Sequence, residues 1–166
     1  MSLPQPALIA AVDLTDRAEE VLRRAARLAR FGNMRLVIAH VVEYHCGFES
    51  DHVPFMTPGQ MQAQMTRDAH AWLRGLAHHM QLHGAEIVVR SGQPAEVLGA
   101  LVAERHARYV VTGPLKWGAI SKLAELARDH RLIESRCDVL HTGGGGKRVG
   151  ERLWRWLAGQ TERRAP

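Results

Sequence analysis

Cysteine is nearly missing. Cys46 and Cys137 are the only two in 166 residues, far apart and in no C-x-x-C arrangement. That excludes a disulfide scaffold and a four-cysteine zinc site, and it predicts a cytoplasmic protein with reduced thiols. No apolar run approaches the roughly 20 residues that a membrane-spanning helix requires. The opening residues Met1-Ser2-Leu3-Pro4 lack the basic-then-apolar order of a secretory signal. No G-x-S-x-G elbow or H-E-x-x-H zinc motif is present, and no paired-carboxylate site can be defined. A strong excess of one charge is also missing. Lys and Arg number 22 against 17 Asp and Glu, a net +5. Part of that excess lies in residues 147–166, with Lys147, Arg148, Arg152, Arg155, Arg163 and Arg164 against Glu151 and Glu162. The other basic residues are spread along the chain, whereas a nucleic-acid footprint needs them gathered on one face, so no nucleic-acid partner is expected.

What is present is a run of short apolar segments alternating with helical patterns. Hydrophobic residues make up 46% of the chain, enough for one domain with a core. Ala7 to Val12 and Leu36 to Val42 are continuous and apolar, as strands buried on both faces are. Ile87-Val88-Val89, Tyr109-Val110-Val111 and Val139-Leu140-His141 predict three more strands. Between the first two, Ala18, Val21, Leu22, Ala25, Leu28 and Ala29 repeat at helical spacing. Thr15 or Asp16 can cap the start, Asp16 with Glu19 forming a capping-box-like pair, and Gly32-Asn33 suggests a left-handed stop at the end. Residues 43 to 56 have no period and read as a loop. Thr57-Pro58-Gly59-Gln60 then opens a second helix, with Met61, Met65, Ala69, Trp72, Leu76 and Met80 as its buried stripe and Gly84 as its stop. Its methionines read as core. A third helix carries Val97, Leu98, Leu101 and Val102, and a fourth covers about Ala119 to Glu134. The alternation predicts an α/β fold: a single open parallel five-stranded sheet with helices on both faces.

Residues 1–142 form the predicted domain. Four glycines, Gly143 to Gly146, mark a hinge, and residues 143–166 form a basic tail with Trp154 and Trp156. Val149, Leu153, Trp156 and Leu157 suit a short amphipathic helix that needs a surface to lie on. That surface is a protein partner, a membrane, or the protein's own dimer.

In open α/β sheets, ligands bind outside the carboxyl ends of strands where strand order reverses. If the first and fourth strands flank that point, Asp13 faces Thr112 and Gly113 across a crevice. Asp13 suits an adenine amino group or a ribose as acceptor, and it equally suits helix capping. Gly113 allows close backbone approach to a sugar or phosphate, and it equally suits a turn before Pro114.

Several segments in order resemble the universal stress protein family. Ala10-Ala11-Val12-Asp13, the helix ending in Leu28-Ala29, and Leu36 to Glu43 resemble its opening. Gly92-Gln93-Pro94-Ala95-Glu96-Val97-Leu98 resembles its G-x-P-x-x-x-I segment. Tyr109 to Gly113 and Cys137-Asp138-Val139-Leu140 resemble its last two strands. The resemblance covers about residues 5 to 142. It implies strand order 3-2-1-4-5 and a homodimer joined through the fifth strands. Some members bind ATP and others do not. Binders carry a G-x2-G-x9-G-[ST] loop after the fourth strand, and this sequence departs from it. Started at Gly113, the pattern places Lys116 at the second glycine and Leu126-Ala127 at the final pair. Gly118 and Ser121 lie nearby at the wrong spacing. Successive glycines are what let backbone N–H groups turn in on phosphate oxygens, so the phosphate half is not expected to form.

The candidate adenine-nucleotide crevice is therefore Asp13, Val41, Thr112, Gly113 and Gly118, with Val41 lining the base; Lys116 suits a solvated loop lysine better than a point charge on a phosphate. The resemblance implies a homodimeric regulatory or stress-response module; with the reading of the residues, the expectation is a cytoplasmic protein that is not an enzyme, with no catalytic residue, no metal and no standard cofactor. The alternative is an adenine-nucleotide binder, taking ATP or AMP with magnesium and possessing weak hydrolase activity. Several histidines and both cysteines have plainer explanations. His78, His79 and His83 close a helix, where they suit its dipole. His45, Cys46 and His52 share one loop with Glu43, Glu49 and Asp51, short of a defined four-ligand zinc set. Cys137 reads as packing.

Overall fold

The segment from Ala7 has no polar face to give to solvent, so the fold must cover it on every side. The computed structural model describes residues 5–43, 56–113 and 138–141, and it does so. Ala7–Ala11 forms strand β1, with all five residues buried. Helix α1 follows at Ala18–Phe31, then β2 at Arg35–Val42, α2 at Pro58–His79, β3 at Glu86–Ser91, α3 at Pro94–Arg105 and β4 at Ala107–Thr112. β1 pairs in parallel with β2 on one side and β4 on the other, from Ala7↔Arg35 to Ala11↔Ala39 and from Leu8↔Tyr109 to Ala11↔Thr112. β3 lies outside β2, and Asp138–His141 runs parallel along β4. The chain is thus an α/β fold with a parallel sheet and helices on both faces.

Strand alternation divides the core. Leu8, Ala10 and Ile38 face α1 and α2, packing with Val21, Leu22 and Leu73. Ile9, Val37 and Val110 face the other way, against Leu98, Leu101 and Val102 of α3. Each buried Leu, Ile or Val contributes roughly 1.5–3 kcal/mol through area removed from water. Guanidinium–carboxylate pairs tie α3 to the outer strand. Arg105 binds Glu86, and Arg90 donates two bonds to Glu104 at 2.8 and 2.6 Å. The Arg90 bond holds the Glu104 carboxyl below its ordinary range. Its contribution is therefore present at neutral pH and is lost as pH falls through that lowered value. Both partners are solvent-exposed, so the contribution is modest.

The helix ends differ in part from what the sequence suggests. α1 begins without a side-chain cap at Arg17, and Glu19 pairs with Arg23 instead of closing a box on Asp16. Thr15, the other cap candidate, lies two residues ahead of the helix boundary residue and accepts its N–H. At the other end Asn33 does take the left-handed conformation, with φ 49°. The capping box of α2 forms as expected: the Thr57 hydroxyl accepts from Gln60 N–H and the Gln60 amide oxygen accepts from Thr57 N–H. α2 stops at His79 rather than at Gly84, and Gln81 supplies the left-handed turn, with φ 56°.

The buried stripe of α2 needs the larger correction. Ala69, Leu73 and Ala77 face the sheet, one turn apart. Met65 and Trp72 are 40% and 41% exposed, so they are not core. Two alanines flanking one leucine make a narrow row that lets the helix sit close to the sheet. Met65 and Trp72 are turned aside, whereas Ala69, Leu76 and Met80 of the expected stripe do lie on or against the core. The expected fourth helix, the loop residues 44–55 and the tail 143–166 lie outside the described residues.

Leu73→Ala should therefore cost about 2–5 kcal/mol, read as a lowered urea midpoint at unchanged slope. Trp72→Ala on the next residue should cost much less, although it removes more atoms. Equal losses would return Trp72 to the core.

Candidate functional site

The cleft begins where two small residues meet. Ala11 and Ala39 are register partners on β1 and β2, the last pair before β1 ends. Side chains this short leave space above the carboxyl edge. The backbone stays paired one residue further, with Val12 N–H donating to Ala39 O at 2.9 Å. The chain then leaves the sheet through Asp13 and Leu14. The stretch of α2 from Met65 to Trp72 stands opposite, and Pro94 and Leu98 bring the start of α3 to the same place. Together these enclose a cleft of about 630 Å³, a size that suits a small molecule.

Its polar groups are few. Asp13 is exposed, and its Oδ1 accepts from the Thr15 hydroxyl at 2.7 Å. Thr15 Oγ1 in turn accepts from Arg17 N–H at 3.3 Å. Asp13 thus steadies the entry to α1 through Thr15 while it borders the cleft. Glu43 and Asp68 also border the cleft, and Asp68 Oδ1 accepts from Gln64 at 2.7 Å. His40 is half-buried, with Nδ1 2.8 Å from the Val12 carbonyl oxygen. A carbonyl only accepts, so Nδ1 carries the proton and donates. In the neutral ring Nε2 is then an acceptor. No lysine or arginine is among the described residues of the lining.

The structure brings Asp13 and Val41 into one cleft, at the ends of adjacent strands. It does not bring Thr112 and Gly113 there. Thr112 pairs with Ala11 and is fully buried. Gly113 lies against α1: a Cβ there would stand 3.3 Å from Val21 Cγ2, so close packing of helix on strand end uses the missing side chain. Gly118 lies outside the described residues, as do Lys116, Ser121, Leu126 and Ala127. So do His45, Cys46, Glu49, Asp51, His52 and Cys137. Among the described residues no three His, Cys, Asp or Glu side chains gather as a metal set. His78 and His83 meet edge to face at 5.6 Å, at the opposite end of α2 from the cleft.

Sequence reasoning missed His40, Trp72 and Asp68. A signal for His40 was available: an imidazole in an otherwise apolar run, on a strand covered on both faces, must find a partner. Trp72 offered none, because a helical apolar repeat does not say which of two adjacent rows meets the sheet.

No helix among the described residues is long and apolar enough to cross a membrane. Residues 7–140 match the family model of the Universal stress protein family. Universal stress protein A homolog 1 of Coxiella burnetii is 24% identical over 133 residues, spanning 80% of this chain and 92% of that protein. A universal stress protein family member from Burkholderia pseudomallei superposes with a TM-score of 0.57 at 21% identity, over 83% of this chain and 96% of that one. A universal stress protein solved in complex with cAMP superposes with a TM-score of 0.52 at 23% identity, over 83% and 96%. The fold resemblance and the match across most of the sequence agree: this chain belongs to the universal stress protein family.

Proposed function

We propose that this protein is a homodimeric regulatory or stress-response module that works by recognition rather than turnover, and that it lacks the standard ATP site. The observation that carries this reading is the lining of the cleft. Asp13 and Val41 stand where the base side of a nucleotide is expected, but the described lining offers carboxylates and no cation for a phosphate. The departures at Lys116 and Leu126-Ala127 point the same way, since each removes a feature that the phosphate loop needs. Asp138–His141, parallel to β4, completes the order 3-2-1-4-5 in this reading and gives the dimer its edge. The cytoplasm is its compartment.

A second reading keeps nucleotide binding. It is favoured by the shared placement of Asp13 and Val41 and by the fold likeness to the protein solved with cAMP. In that case a variant loop, with Gly113, Thr112 and Gly118 nearby, grips the phosphates, and magnesium accompanies ATP.

Titration calorimetry separates the two, using protein first checked for retained nucleotide. The expected dissociation constants for ATP, ADP and AMP are millimolar or weaker, with or without magnesium. Micromolar binding abolished by Asp13→Ala establishes the second reading instead. Sedimentation should show a dimer, and a monomer at micromolar concentration removes the dimeric part of the proposal.

The tail provides a further contact surface in this reading. Deleting residues 147–166 should leave the unfolding midpoint unchanged and reduce co-sedimentation with anionic vesicles. A truncated chain that fails to fold makes the tail part of the core.

A further inference from the structure

Five large apolar side chains are exposed among the described residues, and three of them, Leu14, Met65 and Trp72, stand around the same cleft. Apolar surface gathered about a cavity marks a place where something binds. The polar groups say what kind of ligand it is. Asp13, Glu43 and Asp68 border the same space, and a carboxylate is an acceptor only. The protein as a whole is basic, at +5, yet the described lining holds no lysine or arginine. Among the described residues the lining thus carries one charge sign, and apolar walls with charge of one sign raise the local concentration of the opposite charge.

The geometry points to a small organic cation with a flat apolar body, an arylalkylammonium compound, as the ligand class of this cleft. Each part of such a molecule has a counterpart. The indole of Trp72 offers a face on which a ring stacks or an ammonium rests. Asp68 lies one helical turn before Trp72 and, with Asp13 and Glu43, accepts from the ammonium N–H groups. Ala11, Ala39 and Leu98 take the apolar body. An anion of the same shape meets three carboxylates and no cation in the described lining. The inference is independent of the dimer and of the phosphate loop, and it goes beyond the function proposed above.

Tryptamine and indole-3-acetate share a ring and differ in the sign of the charged group, so they form the deciding pair. Each is titrated into the full chain by calorimetry at about 150 mM salt, where diffuse surface attraction is largely screened. Tryptamine should saturate one site per chain and bind at least tenfold tighter than indole-3-acetate. Trp72→Ala and Asp68→Asn should each weaken tryptamine roughly three- to tenfold. Both residues are on an exposed helix face, and unchanged circular dichroism and melting confirm that the variants are folded. Spermine, a cation without a ring, should lose less affinity on Trp72→Ala than tryptamine does. Three results overturn the proposal: indole-3-acetate binding as tightly as tryptamine, tryptamine binding that ignores both substitutions, or no saturable tryptamine binding. The ammonium titration is read separately from the ATP titration, so either reading can fail alone.

Discussion

A strand with no polar face cannot lie at an edge or against solvent, and β1 is such a strand. Ala7, Leu8, Ile9, Ala10 and Ala11 are all buried, so parallel neighbours must flank them and helices must cover both sides. Parallel neighbours cannot be joined by tight turns. Each needs a crossover, and the crossovers supply the helices that do the covering. β1 therefore takes the centre, with β2 on one side and β4 on the other. The chain runs outward first through β2 and β3, then crosses to β4. That reversal of direction splits the carboxyl edge at β1, which is where Asp13 leaves the sheet.

The site inherits its shape from the packing of small residues. Alanines at the ends of β1 and β2 are needed for close layers, and the same alanines leave the floor of a cleft. The row Ala69, Leu73 and Ala77 brings α2 down onto the sheet, which turns Trp72 and Met65 outward over that floor. The features that make the core tight also put an aromatic wall beside a cavity. His40 joins the two levels, because its bond to the Val12 carbonyl satisfies a backbone group just past the strand end and fixes the ring that borders the cleft.

Family membership and site chemistry separate in this protein. The family match runs from residue 7 to residue 140 and accounts for the sheet, the helices and the position of Asp13. It says little about the side chains that a ligand meets, because a fold supports many sites. The carboxylates and the tryptophan around the cleft are read from the structure and not from the family match.

Strand positions, strand direction and the two-sided covering could be read from the sequence, because the long apolar runs at 7–12 and 36–42 have few ways to be buried and the shorter ones alternate with helical patterns. The Thr57–Gln60 box and the left-handed Asn33 were legible for the same kind of reason: each depends on residues within one turn. Asp13 and Val41 were legible as strand-end residues. The sequence left open which row of α2 faces the sheet, since Ala69-Leu73-Ala77 and Trp72-Leu76-Met80 both repeat every turn and only contact with the sheet chooses between them. It also left open where a glycine's space goes, and at Gly113 the space goes to Val21 of α1. Local chemistry therefore determined the elements and their order. The tertiary structure alone decided which side chains surround the cleft, because that depends on rotations of helices against the sheet that no stretch of sequence encodes by itself.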